Sequence, residues 1–475
     1  MILLRLFGDL VTLAFLVYTF SLGLSYLLLG LYSLGETREY LRRNSFTDYR
    51  TLAVSEYAPG ISILAPAYNE SATIIDNVRS LLSLYYPNME LIIINDGSRD
   101  DTLQRLVEAY DLVRVPHCVP GRLATKPLRG VYRSRHAVYG NLIVLDKENG
   151  GKSDALNAGV NFSARQLVTC VDVDCIMEPD ALLKMAKPFL ESQGPRIIAA
   201  GGVIRIANSC VVEEGRLVEV RLPARWLPRF QVLEYIRAFL LGRMAWSRLG
   251  GLILVSGAFG AFDREILLEA GGYDARTVGE DMELTIRMRR YMAERGRPYR
   301  VTYIPDPLCW TEAPSSYRIL ARQRNRWARG TIESLYKHLD LLGRRRYGIM
   351  GMVSLPYWLL FEFLAPVVEF LSLLIFAVLC AMGRVDWTFF FILLAFVLSF
   401  AYAYSAMSLL TEVLTFNQYR RKRDMLRLLG SVLLEPFLFH PLVVWAALSG
   451  HKDYLLRRNK GWGDMKRSGF ARPGA

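Results

Sequence analysis

Leu167-Val-Thr-Cys-Val-Asp-Val-Asp174 is an apolar, β-rich run that stops on two carboxylates one residue apart. An unbroken apolar run, as opposed to an alternating one, suits a strand buried on both faces of a mainly parallel sheet. Three such runs precede it: Ile61–Ala65, Leu91–Ile94 and Leu142–Leu145. Helical patterns lie between them, for example Ser71 to Leu84 and Ser153 to Ser163. Strands alternating with helices predict an α/β domain built on a Rossmann-like open sheet. In such sheets ligands collect at the carboxyl ends of the strands, and the polar motifs of this chain sit at those ends.

Asp172 and Asp174, closing the run Leu167–Val173, are the predicted metal ligands. Hard carboxylate oxygens hold Mg2+ or Mn2+ against a diphosphate, and two buried carboxylates without a cation would be costly. A cation there acts as a Lewis acid on a leaving nucleotide. Ile61-Ser-Ile-Leu-Ala-Pro-Ala-Tyr-Asn-Glu70 puts Glu70 at another strand end, either as a base or ribose contact or simply as a helix-start carboxylate. In Ile94-Asn-Asp-Gly-Ser98, Asp96 would meet a base or ribose while Gly97 permits a tight backbone; an ordinary Asp-Gly turn is the plainer alternative. Asn149-Gly-Gly-Lys-Ser-Asp-Ala-Leu-Asn157 follows a strand and opens a helix. Glycines ahead of a helix N-terminus, with a lysine, suit a diphosphate, although the spacing is not that of a Walker A loop. Lys152 and Asp154 are the predicted nucleotide contacts there.

Two more motifs lie downstream. Gly279-Glu-Asp-Met-Glu283 starts a helix that continues through Leu284–Tyr291. The helix dipole alone favours acidic residues in a first turn. The sharper reading is a general base for an acceptor hydroxyl, with Asp281 preferred to Glu280. Gln323-Arg-Asn-Arg-Trp-Ala-Arg-Gly330 lies on a basic helix, where Gln323, Arg326 and Trp327 share a face. Arg326 would offset charge on a pyrophosphate, and Trp327 would stack on a sugar ring. The alternative is a basic amphipathic helix resting on anionic lipid.

The bulk composition points to a membrane. Hydrophobic residues are 52% of the 475, with a formal net charge of +13. Mean hydropathy is +0.20, above the range usual for a soluble enzyme. Basic residues flank apolar stretches, as with Arg38, Arg42 and Arg43, and again with Arg420, Arg421, Lys422 and Arg423. That is the positive-inside pattern, which argues against nucleic acid as the partner of the charge. The uncharged stretch from Leu10 to Leu34, about 25 residues, is long enough to span and lacks a small-residue cleavage site, so it reads as an anchor. Val353–Met382 and Trp387–Leu414 are also long enough, whereas Leu428–Leu448, broken by Pro436 and Pro441, either spans or re-enters. The six cysteines lack metal-site spacing and read as reduced or buried thiols.

Asp96, Asp172/Asp174, Glu280-Asp281 and Gln323-Arg-Asn-Arg326-Trp327, in that order and with membrane flanks, resemble the D, DxD, ED, QxxRW pattern of processive family-2 glycosyltransferases. Hyaluronan, cellulose, chitin-oligosaccharide and poly-N-acetylglucosamine synthases belong to that group. The resemblance covers roughly residues 58 to 345. It implies a GT-A fold, uridine contacts at Asp96, metal and diphosphate binding at Asp172 and Asp174, base catalysis at Asp281, and a Gln323/Arg326/Trp327 helix closing over UDP and acceptor. Val255-Ser-Gly-Ala-Phe-Gly-Ala-Phe262 falls where the family places its acceptor-terminus loop. It lacks the cysteine of the cellulose-synthase pattern, and no cyclic-dinucleotide-binding domain follows the membrane zone. Both departures favour an N-acetylglucosamine polymer over cellulose.

The expected layout is an anchor at 1–35, a GT-A domain at 58–312, interface helices carrying QxxRW at 313–347, membrane helices at 350–450 and a basic tail at 451–475. The catalytic domain is expected on the cytoplasmic side of a plasma (inner) membrane. Expected partners are a UDP-sugar donor, a growing polysaccharide and the bilayer, with room for export or accessory proteins. The Phe230–Trp246 portion, with Arg237 and Arg243 among apolar residues, reads as a further interface helix on the membrane. Glu362, Glu369, Glu412 and Glu435 lie in apolar segments, where ionisable groups are expensive unless paired or wet. They either line a polymer path or pair with arginines. Rival functions are a non-processive transferase to a lipid or short acceptor, a glucan synthase using UDP-glucose, and a transporter whose α/β domain only binds nucleotide.

Overall fold

The protein is described by a computed structural model, which covers residues 2–118, 121–173, 175–191, 194–213 and 215–457. The strands are β1 (Ile61–Ala67), β2 (Met89–Asp96), β3 (Leu112–Val115), β4 (Leu128–Ser134), β5 (Leu142–Lys147), β6 (Leu167–Val171), β7 (Ile176–Met177), β8 (Arg196–Ile206), β9 (Val211–Glu213), β10 (Arg216–Glu219), β11 (Phe259–Asp263) and β12 (Tyr299–Thr311). Among the described residues, ten of them form one sheet in the order β3-β4-β5-β2-β1-β6-β11-β8-β12-β7, and β9 and β10 form a separate hairpin. β1 pairs in parallel with β2 and β6, and β2 with β5. β11 runs antiparallel between β6 and β8. β2, β5 and β6 are buried along their whole length, which is why their sequences are apolar without alternation. The four apolar runs are thus the four adjacent parallel strands at the centre of the sheet.

β6 is shorter than its sequence suggests. Its ladder with β11 ends at Val171, and the Asp172 N–H donates to Ala258 O (3.3 Å) instead of continuing the strand. Asp172 therefore opens a loop at the carboxyl edge. The helices predicted over Ser71 to Leu84 and Ser153 to Ser163 occur as Ile74–Leu82 and Lys152–Phe162.

Among the described residues, three helices are long and apolar enough to cross a membrane: Thr12–Asn44, Met350–Ala381 and Trp387–Thr415. Membrane association follows from them. The proline-broken stretch is a pair, Lys422–Leu438 and His440–Leu455, bent by 45°. The segment expected to lie on the membrane surface does something else. Trp226–Tyr235, a π-helical Ile236–Arg243 and Met244–Arg248 run on continuously, and Phe230, Leu233, Leu240 and Met244 are buried. Ser33 Oγ in the first helix donates to Leu240 O (2.6 Å), and Arg237 donates to Glu435 (2.9 Å) and Ser405 (3.0 Å). Apolar residues on several sides of this helix are met by protein on several sides, so it is a core element.

Of the four carboxylates in apolar segments, Glu412 pairs with Arg205 of β8, Glu435 with Arg237, and Glu369 with His440 (2.8 Å), while Glu362 is exposed. For Glu412 and Glu435 the arginine alternative holds. Both pairs fasten the sheet domain to the apolar helices, since a buried charge persists only with a partner.

Candidate active site

The carboxyl edge of the sheet brings two groups of charged residues together. In the first, Lys147 at the end of β5 is fully buried and lies 2.7 Å from Asp96 Oδ1 and 2.5 Å from Asp154 Oδ1. Asp96 also accepts from the N–H groups of Gly150 (3.0 Å) and Gly151 (2.8 Å), and Asp154 from Lys126 N–H (3.0 Å). The β2 end and the glycine loop are therefore laced together. Gly97 is needed there: its φ is +67°, and a Cβ would fall 2.7 Å from Asn149 N. Both Asp96 oxygens already face protein donors, although a carboxylate retains a further lone pair for a ligand. Glu70 stands at the start of the next helical turn, where its carbonyl accepts from Thr73 and Ile74 N–H and its carboxylate from the Thr73 hydroxyl (3.2 Å). These are the contacts of a helix-start carboxylate, and they leave lone pairs for a base or ribose contact.

The second group is more open. Lys152, at the first position of its helix, sits 2.6 Å from Asp172 Oδ1 and 3.7 Å from Glu280 Oε1, and donates to Gly257 O (3.3 Å). Asp281 Oδ2 accepts from Gly257 N–H (3.0 Å) and Oδ1 from Met282 N–H (2.8 Å). The 255–262 segment thus supplies a backbone strap against which both Lys152 and Asp281 are set. Arg326 lies within electrostatic reach of Glu280, Asp172 and Asp281. Burial pushes the Glu280 carboxyl up to about 7, with Lys152 pulling it down and the like charge of Asp281 pushing it further up. Burial works against the Lys152 ammonium, yet Asp172 and Glu280 hold it above its ordinary value. Burial lowers Arg326 despite those carboxylates. Asp174 lies outside the described residues.

Gln323, Arg326 and Trp327 sit on the Tyr317–Lys337 helix, with Gln323 Oε1 buried and without a hydrogen-bond partner among the described residues, and with Trp327 43% exposed. One side of this helix packs against protein, while Tyr317, Arg318, Ala321 and Arg322 are exposed along another. Gly450 of the His440–Leu455 helix approaches it so closely that a Cβ would sit 2.7 Å from Asn325 O, and Asn325 Nδ2 donates to Asp453 (2.9 Å). Arg324 is buried, paired with Glu234, and its guanidinium covers the Trp327 ring at 4.0 Å.

Lys147, Gly257, Glu234 and Arg324 were not singled out from the sequence. Lys147 had a signal, since it ends an apolar strand beside two others that end in carboxylates. The Glu234–Arg324 pair, 90 residues apart, had none.

A Rossmann-like sheet with a carboxylate cluster at its carboxyl edge defines a class of nucleotide-using enzyme folds. The profile described as "Glycosyltransferase like family 2" matches residues 59–330, and the chain belongs to that family. Its fold is accordingly GT-A-like. It is 29% identical over 279 residues to the poly-beta-1,6-N-acetyl-D-glucosamine synthase of Staphylococcus epidermidis, covering 58% of this chain and 56% of that protein. The synthase of the same name from Staphylococcus aureus strain COL is 29% identical over 280 residues, with the same coverage. The chain thus aligns with just over half the length of these relatives. A mannosyltransferase of Pyrobaculum calidifontis, solved with GDP-Man and Mn2+, superposes with a TM-score of 0.47 at 16% identity, over 92% of this chain and 100% of that one.

Proposed function

We propose that this protein is an inverting, membrane-bound glycosyltransferase that polymerises a β-linked polysaccharide from a UDP-sugar, UDP-N-acetylglucosamine first among the donors, with the catalytic domain cytoplasmic. The observation that carries the reading is the convergence of Asp172, Lys152, Glu280 and Asp281, from three separate elements, around the Gly257 strap. The donor sugar follows the names of the aligned relatives.

Three carboxylates stand against Lys152 and Arg326 in this cluster, so it retains negative charge for a cation. Asp172, a hard oxygen donor whose side chain is 30% exposed, fits Mg2+ or Mn2+, with Asp174 as the second carboxylate. Among the described residues no group of three or more His, Cys, Asp or Glu forms a metal cage. When bound, the ion supplies charge neutralisation at the leaving diphosphate. Lys152 and Arg326 offset the same charge from the protein side. Asp281, held by two backbone N–H groups, takes the acceptor hydroxyl proton. The acceptor oxygen then bonds to the anomeric carbon on the face opposite the diphosphate, the glycosyl–phosphate bond breaks, and UDP leaves with the electron pair. Asp96, Asp154 and Glu70 shape the uridine side, and Gln323 and Trp327 border the acceptor.

Export of the polymer through the apolar helices belongs to the same proposal. Glu362 is exposed and Glu369 pairs with His440, in a region where Tyr26 stacks on Tyr404 (5.1 Å) and Tyr18 donates to Leu360 O (2.8 Å). Normal export by Glu362→Gln and Glu369→Gln variants would remove that part. The test of the whole is a panel of UDP-sugars assayed for UDP release by the protein in detergent, with the product of the best donor sized on a gel. A long polymer from UDP-N-acetylglucosamine is expected. Single-sugar addition, or no UDP release from any donor, contradicts the proposal.

A further inference from the structure

The helix carrying Asp281 and the helix carrying Arg326 meet at a point that neither motif includes. Gly279, which caps the Glu280–Glu294 helix, lies against Gly330 of the Tyr317–Lys337 helix with nothing between the two backbones. A Cβ on Gly330 would fall 2.7 Å from Gly279 Cα and 2.9 Å from its N, and a Cβ on Gly279 would fall 2.7 Å from Gly330 Cα. The φ of Gly279 is −113°, so glycine is required here for closeness and not for conformation. One turn along, Glu333 Oε2 accepts from both the Val278 N–H and the Thr277 hydroxyl, each at 2.9 Å. The segment leading into the acidic helix is therefore held by a carboxylate from the other helix. One turn further, Lys337 (2.6 Å) and His338 (3.3 Å) reach the buried Glu283.

We propose that Gly330 and Glu333 are positioning residues for Asp281: they fix the start of the acidic helix against the arginine-bearing helix, so that base and pyrophosphate-facing arginine keep one geometry. Neither residue touches the carboxylate cluster. Both act through residues 277–279, immediately before Glu280 and Asp281. A displacement of about 1 Å in a reacting group lowers rate by about 100-fold without changing what binds. The inference rests on the reading of Asp281 as the base.

The experiment uses the full chain in detergent with UDP-N-acetylglucosamine and Mn2+, comparing wild type with Glu333→Ala, Glu333→Gln and Gly330→Ala. Active sites are counted by UDP binding, so that a loss of folded protein drops out of the rate. Glu333→Ala and Gly330→Ala are expected to lower kcat per UDP-binding site by about 10- to 100-fold with donor KM within about twofold. Glu333→Gln is expected to restore at least half the rate, because an amide oxygen still accepts from both Val278 and Thr277. Should Gly330→Ala fail to fold, the Glu333 pair decides the matter alone. An unchanged kcat per site in Glu333→Ala, or equal damage in Glu333→Gln and Glu333→Ala, overturns the inference alone. Wild type inactive with every UDP-sugar overturns the functional reading and this inference with it.

Discussion

Two lysines at the same edge of the sheet are surrounded by aspartates, and they do different work. Lys147 is 0% exposed, with Asp96 at 5% and Asp154 at 12%, and the surrounding oxygens are met by lysine or backbone donors. Lys152 is 12% exposed and Asp172 30%, and the neighbouring Glu280 is poised near 7. The chemistry of the side chains is the same in both places, and the difference is in access and in spare charge. A sealed ion cluster holds backbone in place, because removing one member strands a buried charge. A half-open cluster with excess carboxylate has capacity left for a cation, a diphosphate and a proton. Sequence position after a strand end marks both, and burial separates them.

Removing each lysine in turn is expected to have the largest effects. Lys152→Met is expected to cut kcat/KM for UDP release by about 100- to 1,000-fold, the scale of losing one preorganised electrostatic group. Its melting temperature should move little, since Glu280 takes up a proton readily and Asp172 reaches water. Lys147→Met should do the reverse. A loss of about 3–5 kcal/mol in folding stability is expected, read by denaturant unfolding, from two aspartates left buried without their cation. If instead the Lys147 variant folds normally and only loses activity, the sealed cluster is a working site and the contrast disappears.

Glu283 is a further buried carboxylate, 0% exposed and met by Arg287, Lys337 and His338. Burial works against its ionised form, but hydrogen bonds from His338, Arg287 and Lys337 hold its carboxyl well below the usual carboxylate range. A depressed folded-state value means that the ionised group adds stability above the unfolded value of about 4.3 and that this is lost as pH falls below it. Glu283→Gln should therefore cost about 2 kcal/mol at neutral pH, with the gap from wild type closing below about pH 4. A gap that stays constant with pH contradicts the assignment. The smallest effect belongs to the exposed Arg421–Glu219 pair (2.6 Å), where Arg421→Ala should leave the melting temperature unchanged because solvent screens the charges.

The centre of the sheet was legible because β1, β2, β5 and β6 are buried on both faces and so could not alternate. Of the residues read at strand ends, Asp172 after β6 falls in the cluster around Lys152 with the acidic helix downstream, whereas Asp96 of β2 falls in the one around Lys147. Other features had no local signature. β8 and β12 pair in parallel across about 100 residues of chain, and Arg205 finds Glu412 from 207 residues away. The 226–248 helix was misread because arginines among apolar residues look the same at a lipid surface and in a core that supplies their partners. Lys147 illustrates the same limit at one residue: a lysine ending a strand reads as solvated until the neighbouring strands close over it.

Asp281, as the acceptor of the hydroxyl proton, is the residue on which the proposed transfer depends. The direct measurement is UDP release from UDP-N-acetylglucosamine by Asp281→Asn beside wild type, with UDP affinity determined calorimetrically on the same preparations. A fall in release of about 100-fold or more at unchanged UDP affinity is the expected result. Release at the wild-type rate by Asp281→Asn would contradict it.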